Sequence, residues 1–476
     1  MKNISNGHFE TIVIGAGSGG LTVAIGLANL GREVALVEAR HVGGDCTNVG
    51  CIPSKTLIHQ ARSGVGGAQA LAETQHKRNH LRDEETSSVG ATKHLTLIHG
   101  WARFLAPRRL EVQAEDGARQ LLTADSIVVA TGSRPRMVDI PGLPAERMLT
   151  NETVFELVQP PRHLAIIGSG VIAMELAFAF QRLGSQVSLV TRSSRVLEQA
   201  IPEASEALAA SLAERGIAVH TRATPDRYDQ VGATLHIQSN QGLLAMAGVD
   251  YVLLAVGRER HIDQSLTQTG ARWSEQGIET DSYGKTTADG VYAIGDVTRT
   301  STYTHSANAQ GRRVVQRIAF PLLPAFGREP LFPNATFSEP EVAQVGMMPD
   351  AIARQYHPQL IQRIRVEFKD IDRGYTDGVR HGFIIIDAVR LTGRILGATV
   401  VGPHASELIS FFNLAISERI SLYRIYRLVF PYPTYSSGIA KVADTWMRTT
   451  LPNIVGELKA YLRYRLARPL PEQSAG

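Results

Sequence analysis

The chain has 476 residues, of which 43% are apolar and 20% are charged. It is long enough to bury several cores, so two or three domains are predicted. A formal net charge of +4 gives no case for nucleic-acid binding. The sequence contains no apolar run of membrane-spanning length, and residues 1–15 lack a basic start followed by an apolar stretch. We therefore expect a cytoplasmic protein.

One supersecondary pattern occurs twice. Residues 8–39 and residues 162–192 each read as an apolar strand, a glycine turn, a helix and a second strand. Such glycines allow a tight turn and a close approach of the backbone to a pyrophosphate at the helix start. The pattern predicts two dinucleotide-binding lobes, whose glycines are Gly15, Gly17 and Gly20 in the first copy and Gly168 and Gly170 in the second.

The residue that ends the second strand of each copy indicates the ligand. In the first copy it is Glu38, whose carboxylate can accept hydrogen bonds from ribose hydroxyls, as the adenosine half of FAD requires. In the second copy Thr191 stands there, followed by Arg192 and Arg195. Guanidinium groups in place of a carboxylate favour a 2′-phosphate, and hence NADPH over NADH. Two merely solvated arginines are the alternative interpretation.

The rest of the chain divides into further units. Residues 95–136 read as short strands that return to the first lobe, and prolines near residue 150 mark a boundary. From about residue 335 strands are followed by helices, which predicts an α+β domain. The predicted fold class is α/β, with two Rossmann-like domains and a C-terminal α+β domain. The predicted bounds are 1–150 for the first domain, 151–270 for the second, 271–334 for a segment that returns to the first domain, and 335–476 for the C-terminal domain.

Cys46 and Cys51 are the only cysteines of the chain. A disulfide between them would close a loop too small to restrain much of the unfolded chain, so a structural staple is not favoured. A helix is predicted after Cys51, with Pro53 in its first turn, and a helix start stabilises a thiolate. We interpret the cysteines as a redox couple, with a staple or two inert thiols as the alternative.

Several motifs together resemble those of the pyridine nucleotide disulfide oxidoreductases, the family of glutathione reductase, dihydrolipoamide dehydrogenase and mercuric reductase. They are GAGSGG, GGDCTNVGCIPSK, VVATGSRP, GSGVIAMELA, LLAVGR, TTADGVYAIGDV and TFSEPEVAQVG, which span most of the chain. The resemblance implies a homodimer with one FAD per subunit, NADPH on one side of the flavin and the cysteine pair on the other. The resemblance also implies that residues 1–150 form an FAD-binding domain, residues 151–270 an NAD(P)H-binding domain and residues 335–476 a dimerisation domain.

The resemblance also implies roles for individual residues. Cys51 would lie against the flavin as the charge-transfer thiolate, and Cys46 would exchange with the substrate. Lys55 and Glu175 would form a pair near the reactive flavin nitrogen, although a structural ion pair is the alternative. Cofactor contacts are further implied for Asp296 at the ribityl chain, Arg258 at the nicotinamide, and Gly44, Thr131, Gly132 and Gly257 within the shared motifs.

The C-terminal motif departs from that of the disulfide-reducing members. Where these carry a histidine and a glutamate as an acid–base pair, the segment FPYPTYSSG has Tyr432 and Ser437. Tyrosine, with a reference pKa of about 10, is a poor general acid at neutral pH. Mercuric reductases resemble this chain here, because they share the Phe-Pro-Tyr segment, and reduction of a thiolate-bound metal ion needs no protonated leaving thiol. They differ in carrying a C-terminal cysteine pair and an N-terminal metal-capture module.

The leading hypothesis is an NADPH-dependent flavoenzyme whose cysteine pair reduces a Hg(II)-like metal ion or another acceptor that needs no histidine acid. The alternatives are a reductase of small disulfides, with Tyr432 or water as the proton source, and a quinone reductase or redox-sensing flavoprotein. No resident metal site, nucleic-acid partner or membrane association is predicted. Residues 457–468 combine leucines with Lys459, Arg463, Arg465 and Arg468, for which a solvated surface helix is favoured over contact with a membrane.

Overall fold

The computed structural model describes residues 7–299, 303–323 and 329–465. The glycine turns and alternating apolar strands of residues 8–39 form the expected lobe, which continues to residue 135. Its elements are β1 (Gly7–Ile14), α1 (Ser18–Asn29), β2 (Val34–Glu38), α2 (Gly44–Asn48), α3 (Cys51–Arg62), α4 (Gly67–Ala91), β3 (Leu95–His99), β4 (Trp101–Ala106), β5 (Arg109–Gln113), β6 (Arg119–Val129) and β7 (Ser133–Pro135).

The second lobe is built on the repeated pattern and adds an antiparallel hairpin sheet. Its elements are β8 (Met148–Leu149), β9 (His163–Ile167), α5 (Val171–Arg182), β10 (Gln186–Val190), α6 (Pro202–Glu214), β11 (Ala218–His220), β12 (Thr224–Asp229), β13 (Thr234–Ser239), β14 (Gly242–Met246), β15 (Tyr251–Leu254) and β16 (Arg258–Arg260).

The chain then returns to the first lobe and ends in the α+β unit. The returning elements are β17 (Trp273–Ser274), β18 (Gly277–Ile278), β19 (Val291–Ala293) and α7 (Thr304–Ala319). The last unit contains β20 (Asn334–Thr336), β21 (Val342–Gly346), α8 (Pro349–Gln355), β22 (Ile361–Glu367), α9 (Asp372–Thr376), β23 (Phe383–Val389), β24 (Ile395–Val401), α10 (Ala405–Ser417), α11 (Leu422–Tyr426), α12 (Ser437–Thr450) and α13 (Ile454–Tyr464).

Each nucleotide lobe is centred on a sheet that has glycine turns at the ends of its strands. The first sheet runs β3-β2-β1-β6-β5-β4, with β19 paired to β6, and the second runs β11-β10-β9-β15-β8. The strands around β1 and β9 are parallel. The second half of β1 and the whole of β9 are buried, and the side chains of β1 enter two cores, one shared with α1 and α7 and the other with β4, β5 and β19. In such sheets ligands bind beyond the carboxyl ends of the strands, which is where both glycine turns lie.

The C-terminal unit is an antiparallel sheet, β20-β21-β24-β23-β22. β23 and β24 are buried along their whole length, and side chains of α10 and α12 pack in the same core as theirs. The antiparallel ribbon of β7 and β16 connects the two nucleotide lobes. This architecture confirms the predicted fold class.

One long element was not predicted. The 25-residue helix α4 follows the cysteine helix. Its buried residues, Ala70, Leu71, Thr74, Arg78 and Val89, include polar side chains, so its sequence shows no apolar stripe of helical period. Among the helices of the described ranges, none is long and apolar enough to cross a membrane.

Candidate active site

The two cysteines lie at the junction of two consecutive helices. Cys46 is inside the short helix α2, and Cys51 is the first residue of α3. Both are free thiols, partly buried, and they share a hydrogen bond. The helix start predicted after Cys51 is therefore present, and the side chains that the sequence paired are in contact.

The surroundings make the two sulfurs chemically different. The hydrogen bond from Cys46 and the nearby Lys55 ammonium outweigh the effect of burial and lower the pKa of Cys51 to about 6. The same hydrogen bond, together with burial, raises the pKa of the Cys46 thiol above its ordinary value. At neutral pH Cys51 is thus mainly a thiolate and Cys46 retains its proton.

Thr304 also contacts the cysteine pair. Its hydroxyl oxygen, at the start of α7, lies 3.6 Å from the sulfur of Cys51. This hydroxyl lowers the pKa of each cysteine, since it can donate a hydrogen bond to either thiolate. No sequence motif indicates Thr304, because it is 253 residues away from Cys51 along the chain.

Lys55 and Glu175 form the expected pair across α3 and α5. The ammonium nitrogen lies 2.8 Å from one carboxylate oxygen of Glu175, whose side chain is only 4% exposed. The backbone N–H of Phe337 donates to the other oxygen at 3.1 Å, and the Phe337 ring lies 4.6 Å below the ammonium nitrogen. One turn after Cys51, this ammonium is placed to stabilise negative charge beside the sulfur pair.

Arg258 lies in a polar network that joins the two lobes. Its Nε donates to the Ser133 hydroxyl at 2.7 Å, and that hydroxyl donates to Asp296 at 2.6 Å. The Arg258 guanidinium also contacts the carboxylate of Asp45, the residue before Cys46. Burial raises the pKa of the Asp296 carboxyl, while Ser133 and Arg258 oppose this effect. The sequence placed Arg258 and Asp296 at the site but did not indicate Asp45 or Ser133.

The first lobe has the features that an FAD adenosine and pyrophosphate require. Gly15 has a φ of +104°, and a side chain there would clash with the Ala130 carbonyl. A Cβ on Gly44 would approach the Cα of Gly17 to 2.6 Å, so the two backbones pack too closely for a side chain. No side chain caps α1, so its first N–H groups remain available to a phosphate. Glu38 is held by the N–H groups of Ala16 and Arg40 at 2.7 and 2.8 Å. The residues present fit the cofactor.

The second lobe repeats the uncapped helix start at α5, where Gly170 precedes the first turn. Thr191 is buried and shares a hydrogen bond of 2.9 Å with Ser169, so it is part of the interior. Arg195 donates to the carbonyls of Glu198 and Ala200, whereas Arg192 is exposed. Of Arg192 and Arg195, Arg192 is the one whose guanidinium is available to a 2′-phosphate.

Three other predicted cofactor residues lie where the lobes meet. The Gly257 carbonyl accepts the N–H of Arg136, and the Gly132 carbonyl accepts the N–H of His261, so both glycines flank the β7–β16 ribbon. Thr131 donates its hydroxyl to the His261 carbonyl at 2.6 Å. These hydrogen bonds join the segments at the two ends of the ribbon.

Tyr432 lies on the surface of the C-terminal unit. It is 76% exposed, in the segment before α12, and its hydroxyl bonds to the Asp372 carboxylate. That carboxylate raises the pKa of Tyr432, which makes the phenol a still weaker acid. Ser437, in the position of the family's glutamate, is the first residue of α12.

Comparison with known proteins identifies the family. A model of the pyridine nucleotide-disulphide oxidoreductases matches residues 9–311, and a model of their dimerisation domain matches residues 332–443. The chain belongs to this family. Its members use FAD and NAD(P)H, which confirms the predicted pair of cofactor types, and the dimerisation domain indicates a homodimer.

The relatives differ in the reactions that their names state. The dihydrolipoyl dehydrogenase of Chlamydia trachomatis is 31% identical over 94% of this chain and 97% of its own length. The mercuric reductase of Shigella flexneri is 30% identical over 94% of this chain and 82% of its own length. A solved structure, the Cu(II) complex of the HOCl-induced flavoprotein disulfide reductase RclA from Escherichia coli, has 25% identity and a TM-score of 0.84, with 92% and 99% of the two chains covered.

Proposed function

We propose that this member of the family transfers electrons from NADPH, through FAD and the Cys46–Cys51 pair, to a soft metal ion such as Hg(II). The observation that carries the proposal is the absence of a competent acid from the FPYPT segment, where Tyr432 is exposed and bonded to Asp372. A metal ion bound by two thiolates can be reduced without protonation of a leaving thiol, so this site has no need of such an acid.

The proposed reaction is balanced without any further reactant. NADPH supplies a hydride, the ion takes two electrons as Hg(II) becomes Hg(0), and one proton is released with NADP⁺. When bound, FAD supplies the two-electron chemistry that links the nicotinamide to the sulfur pair. The chain itself keeps Cys51 ionised through Cys46, Lys55 and Thr304. In the part of the chain that the structure describes, no group of three or more His, Cys, Asp or Glu side chains could hold the ion instead.

NADPH is proposed over NADH because of the turn after β10. Arg192 is exposed there, and the backbone N–H of Arg222 donates to the Ser193 carbonyl at 3.0 Å, which brings a second arginine to the same turn. Guanidinium groups suit a 2′-phosphate better than they suit a free hydroxyl. Arg222 follows β11, 30 positions after Arg192, so the spacing from the glycine turn does not indicate it.

Reduction of a small organic disulfide is the second candidate. The similarity to dihydrolipoyl dehydrogenases over nearly the whole chain favours it. It requires a proton source, for which Tyr432 or water are the candidates. Since a homologous structure is described as a Cu(II) complex, Cu(II) belongs in the same acceptor test as Hg(II), with two copper ions reduced per NADPH.

An anaerobic acceptor screen distinguishes these functions. The holoenzyme is mixed with NADPH and then with Hg(II), Cu(II), glutathione disulfide, lipoamide or a quinone, and NADPH oxidation is followed at 340 nm. We expect turnover with a metal ion, reduced at least about 100-fold in Cys46→Ser. A matched control is Ser63→Ala, at the opposite end of α3. Quinone turnover that Cys46→Ser leaves unchanged would place reduction outside the cysteine pair, and failure of NADPH to reduce the protein would favour a sensor.

Tyr432→Phe separates the two leading candidates. Metal-ion reduction should stay within about twofold of wild type, because it protonates no leaving thiol. If glutathione disulfide or lipoamide turnover is the main activity and Tyr432→Phe lowers it tenfold or more, Tyr432 is the proton source and the metal-ion proposal is wrong.

A further inference from the structure

The C-terminal helix α13 lies on the protein with its polar side inward. Glu457 is 7% exposed and accepts from Arg390 at 3.3 Å. Tyr464 stacks on His357 with their ring centres 4.2 Å apart, and Tyr461 packs against the small core beneath α8. These contacts fix one face of the helix and direct the opposite face to solvent.

The outward side of α13 is apolar. Its exposed residues follow helical spacing and are Ile454, Val455, Leu458 and Leu462, at 43%, 63%, 47% and 67% exposure. We call these four residues the apolar stripe. A solvated surface helix normally has the reverse arrangement, with leucines inward and charges outward. The expectation of an ordinary solvated helix therefore does not explain the stripe. Leu466 and Arg468, also included in that expectation, lie outside the described residues.

The charges beside the stripe are all positive. Lys459 and Arg463 on α13 and Arg465 directly after it are exposed, and the helix's acidic residue, Glu457, is the buried one. None of the three cations forms an ion pair within the described ranges. A helix with an exposed apolar stripe bordered by basic residues is suited to the boundary between lipid headgroups and acyl chains.

A second observation lies at the end of the same helix. Arg465 lines a cavity of about 480 Å³ together with Arg394, Arg419 and the rings of Tyr356 and Tyr461. Arg394 donates to the Tyr356 hydroxyl, and none of the three arginines is in an ion pair in the described part of the chain. The described residues that line the cavity include no carboxylate. Such a cavity has the charge and hydrogen-bond donors to receive a phosphate.

We propose that α13 and this arginine cavity attach the protein reversibly to an anionic membrane surface. The apolar stripe enters the acyl boundary, Lys459 and Arg463 face the headgroup layer, and the cavity receives one lipid phosphate. Binding through a single helix of 11 residues is weak and sensitive to salt, since part of it comes from screened charge attraction.

Co-sedimentation of the holoenzyme with vesicles tests the proposal. We expect binding to vesicles of equal parts phosphatidylglycerol and phosphatidylcholine, and at least tenfold weaker binding to phosphatidylcholine alone. Leu458→Asn with Leu462→Asn should weaken binding to the anionic vesicles about tenfold or more. The matched control is Val231→Asn with Leu243→Asn, which should bind as wild type does. Val231 lies in the turn after β12 and Leu243 in β14 of the second lobe, and they are 94% and 50% exposed.

Variants that change the charge of this surface distinguish a lipid phosphate from free phosphate. Lys459→Glu should weaken vesicle binding about fivefold or more, whereas Lys93→Glu, an exposed lysine on the first lobe, should not. Arg394→Gln with Arg419→Gln should weaken it further without changing binding to neutral vesicles. If inorganic phosphate at millimolar concentration binds the cavity while anionic vesicles do not bind the protein, the ligand is free phosphate and the membrane proposal is wrong.

The alternative occupant of the stripe is a second copy of the chain. Sedimentation velocity of the Leu458→Asn, Leu462→Asn variant decides this point. A change in oligomeric state relative to wild type would overturn the membrane proposal, and an unchanged state together with lost vesicle binding would support it.

Discussion

Thr304 is a single side chain that affects both sulfurs. It is placed by the start of α7, next to Cys51, and its hydroxyl lowers the pKa of each cysteine. Its effect depends on one hydrogen bond, so an isosteric substitution removes the donor while keeping the shape of the side chain.

Thr304→Val should raise the pKa of Cys51 from about 6 by about one, because the thiolate loses a donor but keeps Lys55 and Cys46. The reduced holoenzyme is alkylated with iodoacetamide across pH 4–9, and peptide mass spectrometry follows Cys51 separately from Cys46. Thr304→Ser should restore the wild-type profile. A Thr304→Val profile identical to wild type would exclude the hydroxyl as a donor to the thiolate.

Arg192 carries the proposed choice of nucleotide. Arg192→Ala should raise the KM for NADPH about tenfold and leave the KM for NADH within twofold, because only NADPH has the 2′-phosphate. Steady-state kinetics with both nucleotides measures this. Arg195→Ala is the comparison: since Arg195 holds the carbonyls of Glu198 and Ala200, it should affect both nucleotides alike. Equal losses with Arg192→Ala would remove the argument for NADPH.

Residue-scale predictions from sequence succeeded where the chemistry is local. The cysteines, the helix start after Cys51 and the glycine turns are each encoded within a few positions of one another. The partners of those residues are not. Asp45 meets Arg258 across 213 positions and Thr304 meets Cys51 across 253, and no propensity or period connects such residues.

Helices α3 and α5 are joined by an ion pair whose two ends differ in burial. The Glu175 side chain is 4% exposed, whereas that of Lys55 is 34% exposed. Removing the ammonium leaves a buried carboxylate with the Phe337 N–H as its remaining partner, while removing the carboxylate leaves a cation that water can partly reach.

Lys55→Met should therefore lower the free energy of unfolding by about 3 kcal/mol, and Glu175→Gln by a smaller amount, about 1–2 kcal/mol. Urea denaturation of the holoenzyme with excess FAD provides the midpoints. The double variant Lys55→Met, Glu175→Leu should recover part of the loss, because it leaves no unpaired charge. If Glu175→Gln lowers the free energy of unfolding more than Lys55→Met does, the difference in burial does not determine the cost of breaking the ion pair.

Helix α4 shows why some elements were not predicted. Its buried side includes Thr74 and Arg78, and Arg78 is bound by Asn79 and Glu156. Period-based reasoning needs an apolar stripe, which this helix does not have. The exposed stripe of α13 has the converse property: the sequence predicts the amphipathic helix, but which side faces the protein depends on tertiary contacts such as Arg390–Glu457.

At the scale of the molecule, three units meet at the carboxylate of Glu339. Arg62 at the end of α3 lies 3.0 Å from it, Arg182 at the end of α5 lies 2.7 Å from it, and Arg215 after α6 also contacts it. Burial opposes ionisation, but Arg182, Arg215 and Arg62 together outweigh it and lower the pKa of Glu339. The cluster links both nucleotide lobes to the C-terminal unit.

Glu339→Gln should lower the free energy of unfolding by about 2–3 kcal/mol at pH 7, since three arginines lose their shared anion. Because the folded pKa is depressed, this stabilisation is complete above the ordinary value of 4.5 and is lost as the pH falls below it. The difference between wild type and variant should therefore shrink between pH 5 and pH 3. Urea midpoints across this pH range measure the difference. Asp289→Asn is the control, because its carboxylate is in an ion pair but is 81% exposed, and it should change the free energy of unfolding by less than about 0.5 kcal/mol.

The helix α3 has the thiolate at its first residue and Arg62 at its last. Twelve helical residues make a stiff rod of roughly 18 Å, so a shift of its far end is passed to the sulfur. Acid that protonates Glu339 frees that far end. Below pH 4.5, where Glu339 begins to take up a proton, the sulfur should therefore also lose its fixed position, after the protonation of Cys51 that sets in near pH 6.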